Sequence, residues 1–211
     1  MADIKAYRPK QSSLSQGQVL HRPYSYGEAR LIVREMAEQL AMELAGKGQL
    51  ASLFTLWVGY DAASLEGDLR YDGELYVNHY GRLVPAPTGG SVRAKLPTDD
   101  ANELIGLMTD LFESTADELL LFRHINLCAG DLRPRDAAHP VTEQLDLFTD
   151  WEAAEARRQE EEAARQKNRA LQQSILALRG KMGRNAVVRG MNLEEAGTAM
   201  ERNGQVGGHK A

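Results

Sequence analysis

The 211-residue sequence predicts an α+β fold in which a four-stranded sheet carries two helices on one face. Three observations support this prediction. Two stretches have apolar residues at helical spacing, four stretches read as strands, and glycine or proline residues separate them. Their order along the chain is β-α-β-β-α-β, and the other face of such a sheet is expected to be open to water or to a partner.

The first strand and the first helix occupy the first 46 residues. The run from Leu14 to Leu20 is β-permissive and ends at a turn around Pro23. Ser25 and Glu28 have the spacing of a capping box, which marks the start of a helix. The apolar side of this helix is predicted to consist of Leu31, Ile32, Met36, Leu40 and Leu44.

Three further strands and a second helix follow. Leu53 to Tyr60 reads as a strand, Ser91 to Leu96 alternates between polar and apolar residues, and Leu75 to Asn78 is an additional possible short strand between them. Thr98 and two aspartates mark the start of the second helix, because such residues favour helix N-termini. Leu119 to Cys128 is the last predicted strand.

The chain is predicted to have four regions. Residues 1–130 form the folded domain, and residues 131–149 form a linker marked by Pro134 and Pro140. Residues 150–183 are rich in Ala, Glu, Arg and Gln and are predicted to form a long charged helix. Residues 184–211 are rich in Gly and Asn and are predicted to be a flexible tail without a compact fold of its own.

Composition and charge exclude several classes of protein. The net charge of −5 means that nucleic-acid binding would need a local basic patch, since bulk charge would not supply it. A single cysteine excludes an internal disulfide. The first residues lack the apolar h-region of a signal peptide, and the sequence has no apolar run of roughly 18 residues, so we expect a cytoplasmic monomer with no membrane partner.

Candidate catalytic and metal-binding residues do not form a site. The histidines are scattered, and Cys128 in its apolar run is expected to be a core residue. The Asp99–Asp100 pair is explained by helix capping. The Asp117–Glu118 pair lacks the companion carboxylate that two-metal nucleotidyl transfer needs. We therefore expect neither a catalytic site nor a cofactor on this chain.

The strand residues that face away from the helices are candidates for nucleic-acid contacts. Arg93 and Lys95 alternate with apolar residues, and a row of cations on an open sheet would contact phosphates. His124 and Asn126 share one face of the last strand. The first strand adds small donors and a glycine that permits close backbone approach, and the alternative is that all of these are ordinary solvated positions. The first-strand candidates are Ser15, Gln16, Gly17 and Gln18.

The linker contains a short apolar segment with the features of a docking peptide. Three large apolar residues stand in a polar, proline-marked stretch where no core is available. The alternative is local, since Thr149 and Glu152 form a capping-box pattern and one apolar residue before them would serve as its hydrophobic staple. The candidate binding residues are Gln144, Leu145, Leu147 and Phe148.

These segments, taken together, resemble a known family. The chain is similar to the C-terminal part of a Y-family translesion DNA polymerase, of the UmuC-like branch found in Gram-positive bacteria. The similarity is ordered correctly along nearly the whole chain. The segments that carry it are Ile4–Pro9, Ser15–Leu20 with Pro23–Tyr24, Leu31–Met36, Val58–Asp61, His79–Arg82, Gln144–Phe148, and Gly190–Glu195 through Arg202–Lys210.

The resemblance implies a fold and two partners. The family's little-finger domain is a β-α-β-β-α-β unit whose open sheet holds primer-template duplex DNA through its phosphates. Carried over by position, Ser15 to Gln18, Arg93, Lys95, His124 and Asn126 would lie on or near that face. Gln144, Leu145, Leu147 and Phe148 would form the sliding-clamp-binding peptide, with the glutamine at the edge of the clamp's pocket and the apolar side chains inside it.

The resemblance also defines what to expect of activity. It covers the little finger and tail but not the palm, whose carboxylates bind two Mg²⁺ ions. We therefore expect a DNA-binding and clamp-tethering module for DNA repair, damage tolerance and the SOS response, without polymerase activity of its own. A protein-interaction adaptor that binds the sliding clamp but not DNA is the alternative.

Overall fold

The computed structural model describes residues 13–66, 71–137, 151–206 and 209–210. The main domain has strands β1 (Leu14–Tyr24), β2 (Gln49–Tyr60), β3 (Leu75–Val77), β4 (Leu83–Pro85), β5 (Thr88–Thr98), β6 (Phe122–Gly130) and β7 (Arg133–Pro134). Its helices are α1 (Tyr26–Gly46) and α2 (Ala101–Thr115). Helix α3 (Trp151–Met182), helix α4 (Ala199–Asn203) and strands β8 (Gln205–Val206) and β9 (His209–Lys210) follow, and short 3-10 helices lie at Ala62–Leu65, Arg135–Ala137, Arg184–Ala186 and Gly190–Leu193.

The main sheet is antiparallel and has the order β1-β6-β2-β5, with the two-residue strand β7 paired to the start of β2. Helices α1 and α2 contact each other and the sheet, and their buried side chains share one core with the inward side chains of the strands. The predicted α+β fold with its β-α-β-β-α-β order is therefore confirmed. Strands β3 and β4 form a separate hairpin inserted between β2 and β5.

The start of α1 shows why this segment is helical. The Glu28 carboxylate accepts a hydrogen bond from the backbone N–H of Ser25 at 2.8 Å, which completes half of the predicted capping box. The helix then buries an almost continuous apolar face, and Gly48, at a φ of +62°, turns the chain into β2. The buried apolar residues of α1 include Ile32, Val33, Met36, Leu40 and Leu44.

Helix α2 begins where the aspartates were expected to place it. The Asp100 carboxylate accepts hydrogen bonds from the backbone N–H groups of Asn102 and Glu103 at 2.7 and 3.2 Å. The strand after α2 starts later than predicted, at Phe122, because Leu119 is 72% exposed and lies in the turn before it. The sheet contributes Phe54, Leu56, Val58, Phe122, Ile125 and Leu127 to the core.

The second half of α3 packs against the helical layer. Gln172 is buried, accepts a hydrogen bond from the Ala101 backbone N–H at 3.1 Å, and donates one to the Asp99 carbonyl at 2.7 Å. Arg179 pairs with the buried Glu38 of α1 at 3.0 Å. By contrast, residues 155–164 of the same helix are exposed. The charged helix is thus solvated at one end and docked at the other.

Residues 184–206 also lie against the domain, which differs from the flexible tail without a compact fold that the sequence predicts. Buried Glu35 of α1 accepts hydrogen bonds from the Asn192 side chain at 3.0 Å and from the Ala199 backbone N–H at 3.1 Å. The physical reason is a contact between residues distant in the chain, since Asn192 and Thr198 are buried where they donate hydrogen bonds to the Glu35 carboxylate. The composition of residues 184–206 alone does not indicate such a contact.

Candidate nucleic-acid interface

The side of the main sheet opposite α1 and α2 is called the open face. It is formed by alternate residues of all four long strands, because successive side chains of a strand point to opposite sides. Pairing across the sheet aligns these residues in rows, for example Ser15–Cys128–Thr55–Ser91 and Gly17–Asn126–Trp57–Gly89. The open face also carries Val19, Leu53, Gly59, Arg93, Lys95, His124 and Gly130.

The two cations of the open face lie on the edge strand β5. Arg93 and Lys95 are both exposed. The Arg93 guanidinium donates a hydrogen bond to the Asp131 carboxylate at 2.6 Å, although 61% of the Arg93 side chain stays exposed. Asp131 follows β6 and has a φ of +52°. Arg93 can therefore reach a phosphate, but Asp131 competes with that phosphate for the guanidinium.

His124 and Asn126 lie on the open face, in the middle of the sheet. His124 is half-buried and stacks beside Trp57, with ring centroids 6.5 Å apart and an interplanar angle of 24°. Burial lowers the pKa of His124 below its ordinary value, and the charge of neighbouring Arg123 lowers it further. The lowered pKa favours the uncharged form of the imidazole.

Gly17 provides the close approach that the sequence indicates. A Cβ atom built at this position would lie 2.4 Å from Oδ1 of Asn126, the residue opposite it on β6. The absence of a side chain at position 17 thus leaves room for the Asn126 side chain on the open face. Ser15 and Gly17 are both exposed on this side.

Gln16 and Gln18, in contrast, point toward the helices and not toward the open face. The Gln16 side chain donates to the Glu43 carboxylate at 3.2 Å. The Gln18 side chain donates to the Thr198 hydroxyl at 2.9 Å and accepts from Arg202 at 3.0 Å. The expectation that all four residues 15–18 lie on or near one face is corrected for these two, because a strand cannot present consecutive side chains on the same side.

Cys128 also differs from its expected position. It is half-buried on the open face, where it lies between Ser15 and Thr55, and not in the core. The core residues of β6 are its neighbours Leu127 and Ala129. Because Cys128 and both of its neighbours are apolar, their polarity does not indicate which side chains face the core.

Two further residues of this face, Thr55 and Trp57, are not among the candidate contacts predicted from the sequence. Trp57 lies at its centre, and the hydroxyls of Thr55 and Ser91 are hydrogen-bonded across β2 and β5 at 2.8 Å. The alternation of β2 was the available signal, since Thr55 and Trp57 fall on the side opposite Phe54 and Leu56.

The candidate clamp-binding residues Gln144, Leu145, Leu147 and Phe148 lie outside the described residues. The described chain stops at residue 137 and resumes with α3 at Trp151. The docking-peptide hypothesis and the hydrophobic-staple alternative therefore both stay predictions.

Comparison with known proteins gives the family. The family model described as the impB/mucB/samB family C-terminal domain matches residues 11–147. The chain belongs to this family. The match agrees with the resemblance to the C-terminal domain of Y-family polymerases.

The solved structures and the curated proteins give two further comparisons. A solved structure described as "Complex of beta-clamp processivity factor and little finger domain of PolIV" is similar at 12% sequence identity and a TM-score of 0.37, over 65% of this chain and 100% of that chain. A search of the curated proteins finds no match.

Neither a metal-binding cluster nor a membrane-spanning helix occurs among the described residues. No group of three or more His, Cys, Asp or Glu side chains in this part of the chain could hold a metal ion. None of the helices described there has the length and apolar composition needed to cross a membrane.

Proposed function

We propose that this chain is the DNA-binding and clamp-tethering C-terminal portion of a Y-family translesion polymerase of the UmuC-like, Gram-positive branch. Its partners would be primer-template duplex DNA and the sliding clamp, and its role would be DNA repair and damage tolerance in the cytoplasm. The observation that carries the DNA-binding part is the charge of the open face. Arg93 and Lys95 lie there, and the strand positions of that face hold no carboxylate.

The geometry of the open face favours a flat contact surface for the DNA backbone. Glycines at positions 17, 59, 89 and 130 keep the open face low, so that a duplex can approach the sheet closely. In this proposal the two cations contact phosphates and not bases, so binding depends little on base sequence. A grip of this kind suits a domain that must tolerate damaged bases.

The DNA-binding proposal is tested by fluorescence anisotropy with a labelled duplex at low salt. Replacing both Arg93 and Lys95 with alanine is expected to weaken duplex binding by about tenfold, because each phosphate contact contributes separately. Lys181→Ala, which removes an exposed cation from the end of α3, is the matched control and should leave binding unchanged. Equal affinities for the double variant and the control would refute the assignment of this face.

The clamp-tethering proposal rests on the apolar composition of residues 144–148. Replacing Leu147 and Phe148 with alanine is expected to abolish binding to a purified sliding clamp, measured by surface plasmon resonance. Clamp binding that survives this double substitution would contradict the proposal.

The adaptor hypothesis makes the same prediction about the clamp, so only the DNA titration separates the two functions. An adaptor would bind the clamp normally and show no affinity for duplex DNA. Primer extension by the purified chain with Mg²⁺ is expected to give no product, since the family's catalytic carboxylates belong to the palm.

A further inference from the structure

Trp57 and His124 form an aromatic pair at the centre of the open face. Their rings are close to parallel, and Gly59 lies next to both. A Cβ atom at position 59 would come within 3.1 Å of Cη2 of Trp57 and 3.3 Å of Cβ of His124. The glycine is therefore what lets the indole lie against the sheet beside the imidazole.

The β5 residue beside the aromatic pair carries no side chain. The residue opposite Trp57 on β5 is Gly89, which is exposed and has no side chain. A Cβ atom there would lie 2.2 Å from the Leu56 carbonyl oxygen, so the backbones of β2 and β5 leave no space for a larger residue. This glycine keeps the approach to the indole from β5 unobstructed.

The chemistry of the aromatic pair fits a flat, uncharged ligand. Burial lowers the pKa of His124 below its ordinary value, which favours the uncharged imidazole. An indole beside a neutral imidazole is a stacking surface, and a nucleobase is the flat partner that a nucleic acid offers. Bases inside a duplex are already stacked on their neighbours, which leaves unpaired bases as the available ligands.

The distance between the aromatic pair and the cations also suits a single DNA strand that contacts both. Arg93 lies four residues beyond Gly89 on β5, which corresponds to about 13 Å along the strand. This distance equals about four nucleotide steps of a B-form strand. A backbone contacted by Arg93 and Lys95 can therefore continue to the aromatic pair within a few nucleotides.

We propose that Trp57 and His124 form a stacking platform for an unpaired base, next to the duplex whose phosphates contact Arg93 and Lys95. This inference rests on the proposed DNA-binding function of the open face. The domain would then prefer a junction of duplex and single strand over a blunt duplex. Such a preference places the domain at the end of a primer-template.

Tryptophan fluorescence tests the platform directly, because the chain has two tryptophans and Trp151 lies outside the sheet. The Trp151→Phe variant of the full chain, with Trp57 as its sole tryptophan, is titrated with a blunt duplex and with the same duplex carrying a single-stranded overhang. The overhang substrate is expected to quench Trp57 and to bind at least about fivefold more tightly than the blunt duplex.

Three variants separate a loss of stacking from a loss of folding. Trp57→Ala is expected to abolish the preference, so that the overhang substrate and the blunt duplex bind with equal affinity, whereas Trp57→Phe keeps a ring and should retain part of the preference. Gly59→Ala, whose methyl group would displace the indole, should lose the preference as Trp57→Ala does. Far-UV circular dichroism of each variant checks the fold.

The outcomes distinguish the platform from the function on which it rests. Equal binding of both substrates without quenching would overturn the platform and leave duplex binding intact. An overhang preference that survives Trp57→Ala would also overturn it. If neither substrate binds at low salt, the DNA-binding function itself is refuted and the platform with it.

Discussion

The Glu35 carboxylate accepts a hydrogen bond from the backbone N–H of Thr198 at 2.8 Å, although 163 residues separate the two in the chain. Glu35 is buried in α1, and Thr198 immediately precedes helix α4. The same carboxylate also accepts hydrogen bonds from Asn192 and Ala199. One buried acidic side chain therefore holds several residues of the chain after α3 against the main domain, beside the contacts of Gln18 with Thr198 and Arg202.

Replacing Glu35 with alanine is expected to lower the free energy of unfolding by about 1–3 kcal/mol, because buried N–H groups of the tail lose their acceptor. Urea denaturation followed by circular dichroism measures this change. Hydrogen exchange should be faster at Asn192, Thr198 and Ala199 in the variant. Glu161→Ala, at an exposed position of α3, is the control and should change neither quantity; equal protection in both variants would contradict the attachment.

Replacing Gln172 with alanine is expected to weaken the docking of α3. Its side chain joins the Ala101 N–H to the Asp99 carbonyl at the start of α2, and its loss leaves both groups buried without this partner. The expected cost is about 1–3 kcal/mol. Gln173→Ala, one position along the same helix and exposed, should cost almost nothing in the same denaturation experiment. Similar costs for the two variants would show that the Gln172 contacts do not hold the helix.

Replacing Asp131 with asparagine is expected to strengthen duplex binding. The substitution removes the charge that pairs with Arg93, and asparagine tolerates the positive φ of this position. We expect affinity to rise by about two- to fivefold at low salt, the scale of an exposed ion pair. The anisotropy titration measures it, with Asp136→Asn as an exposed control nearby in the chain. Unchanged or weaker binding would mean that Arg93 does not contact the DNA.

The capping box of α1 predicts a pH dependence of stability. The hydrogen bond from Arg22 lowers the pKa of Glu28 from 4.5 to about 2, and hydrogen bonds from Ser25 contribute in the same direction. Since the pKa is lower in the folded state, Glu28 stabilises the fold above pH 4.5, and this stabilisation is lost as the pH falls toward 2.

The Glu28→Gln variant tests this dependence. It should be less stable than the natural sequence at pH 6, and the difference should shrink between pH 5 and pH 2, measured by thermal unfolding at a series of pH values. A stability difference that stays constant across this range would contradict the role assigned to the Glu28 charge.

The sequence was sufficient for the parts of the fold that depend on local patterns. Strand alternation placed Arg93 and Lys95 on one side of β5, and capping placed the starts of α1 and α2. The same alternation, applied to β1, would have separated Gln16 and Gln18 from Ser15 and Gly17. The four residues are adjacent and small or polar, but a strand places them alternately on opposite sides of the sheet.

Contacts between distant residues could not be predicted in this way. Glu35 lies among apolar residues of α1, and Gln172 lies in a helix with many charged side chains, so neither position signals burial locally. Their partners are distant in the chain, and only the tertiary structure brings them together. The inserted hairpin of β3 and β4 was half predicted, because Leu75 to Val77 has strand character and the short partner Leu83–Pro85 contains a proline.

The salt dependence of duplex binding tests the central claim most directly. With Arg93 and Lys95 contacting two phosphates, raising the salt from about 50 to about 200 mM should weaken binding by about tenfold, and the variant lacking both cations should lose this dependence. An affinity that does not change with salt, or a variant with the same salt slope as the natural chain, would contradict phosphate binding by the open face.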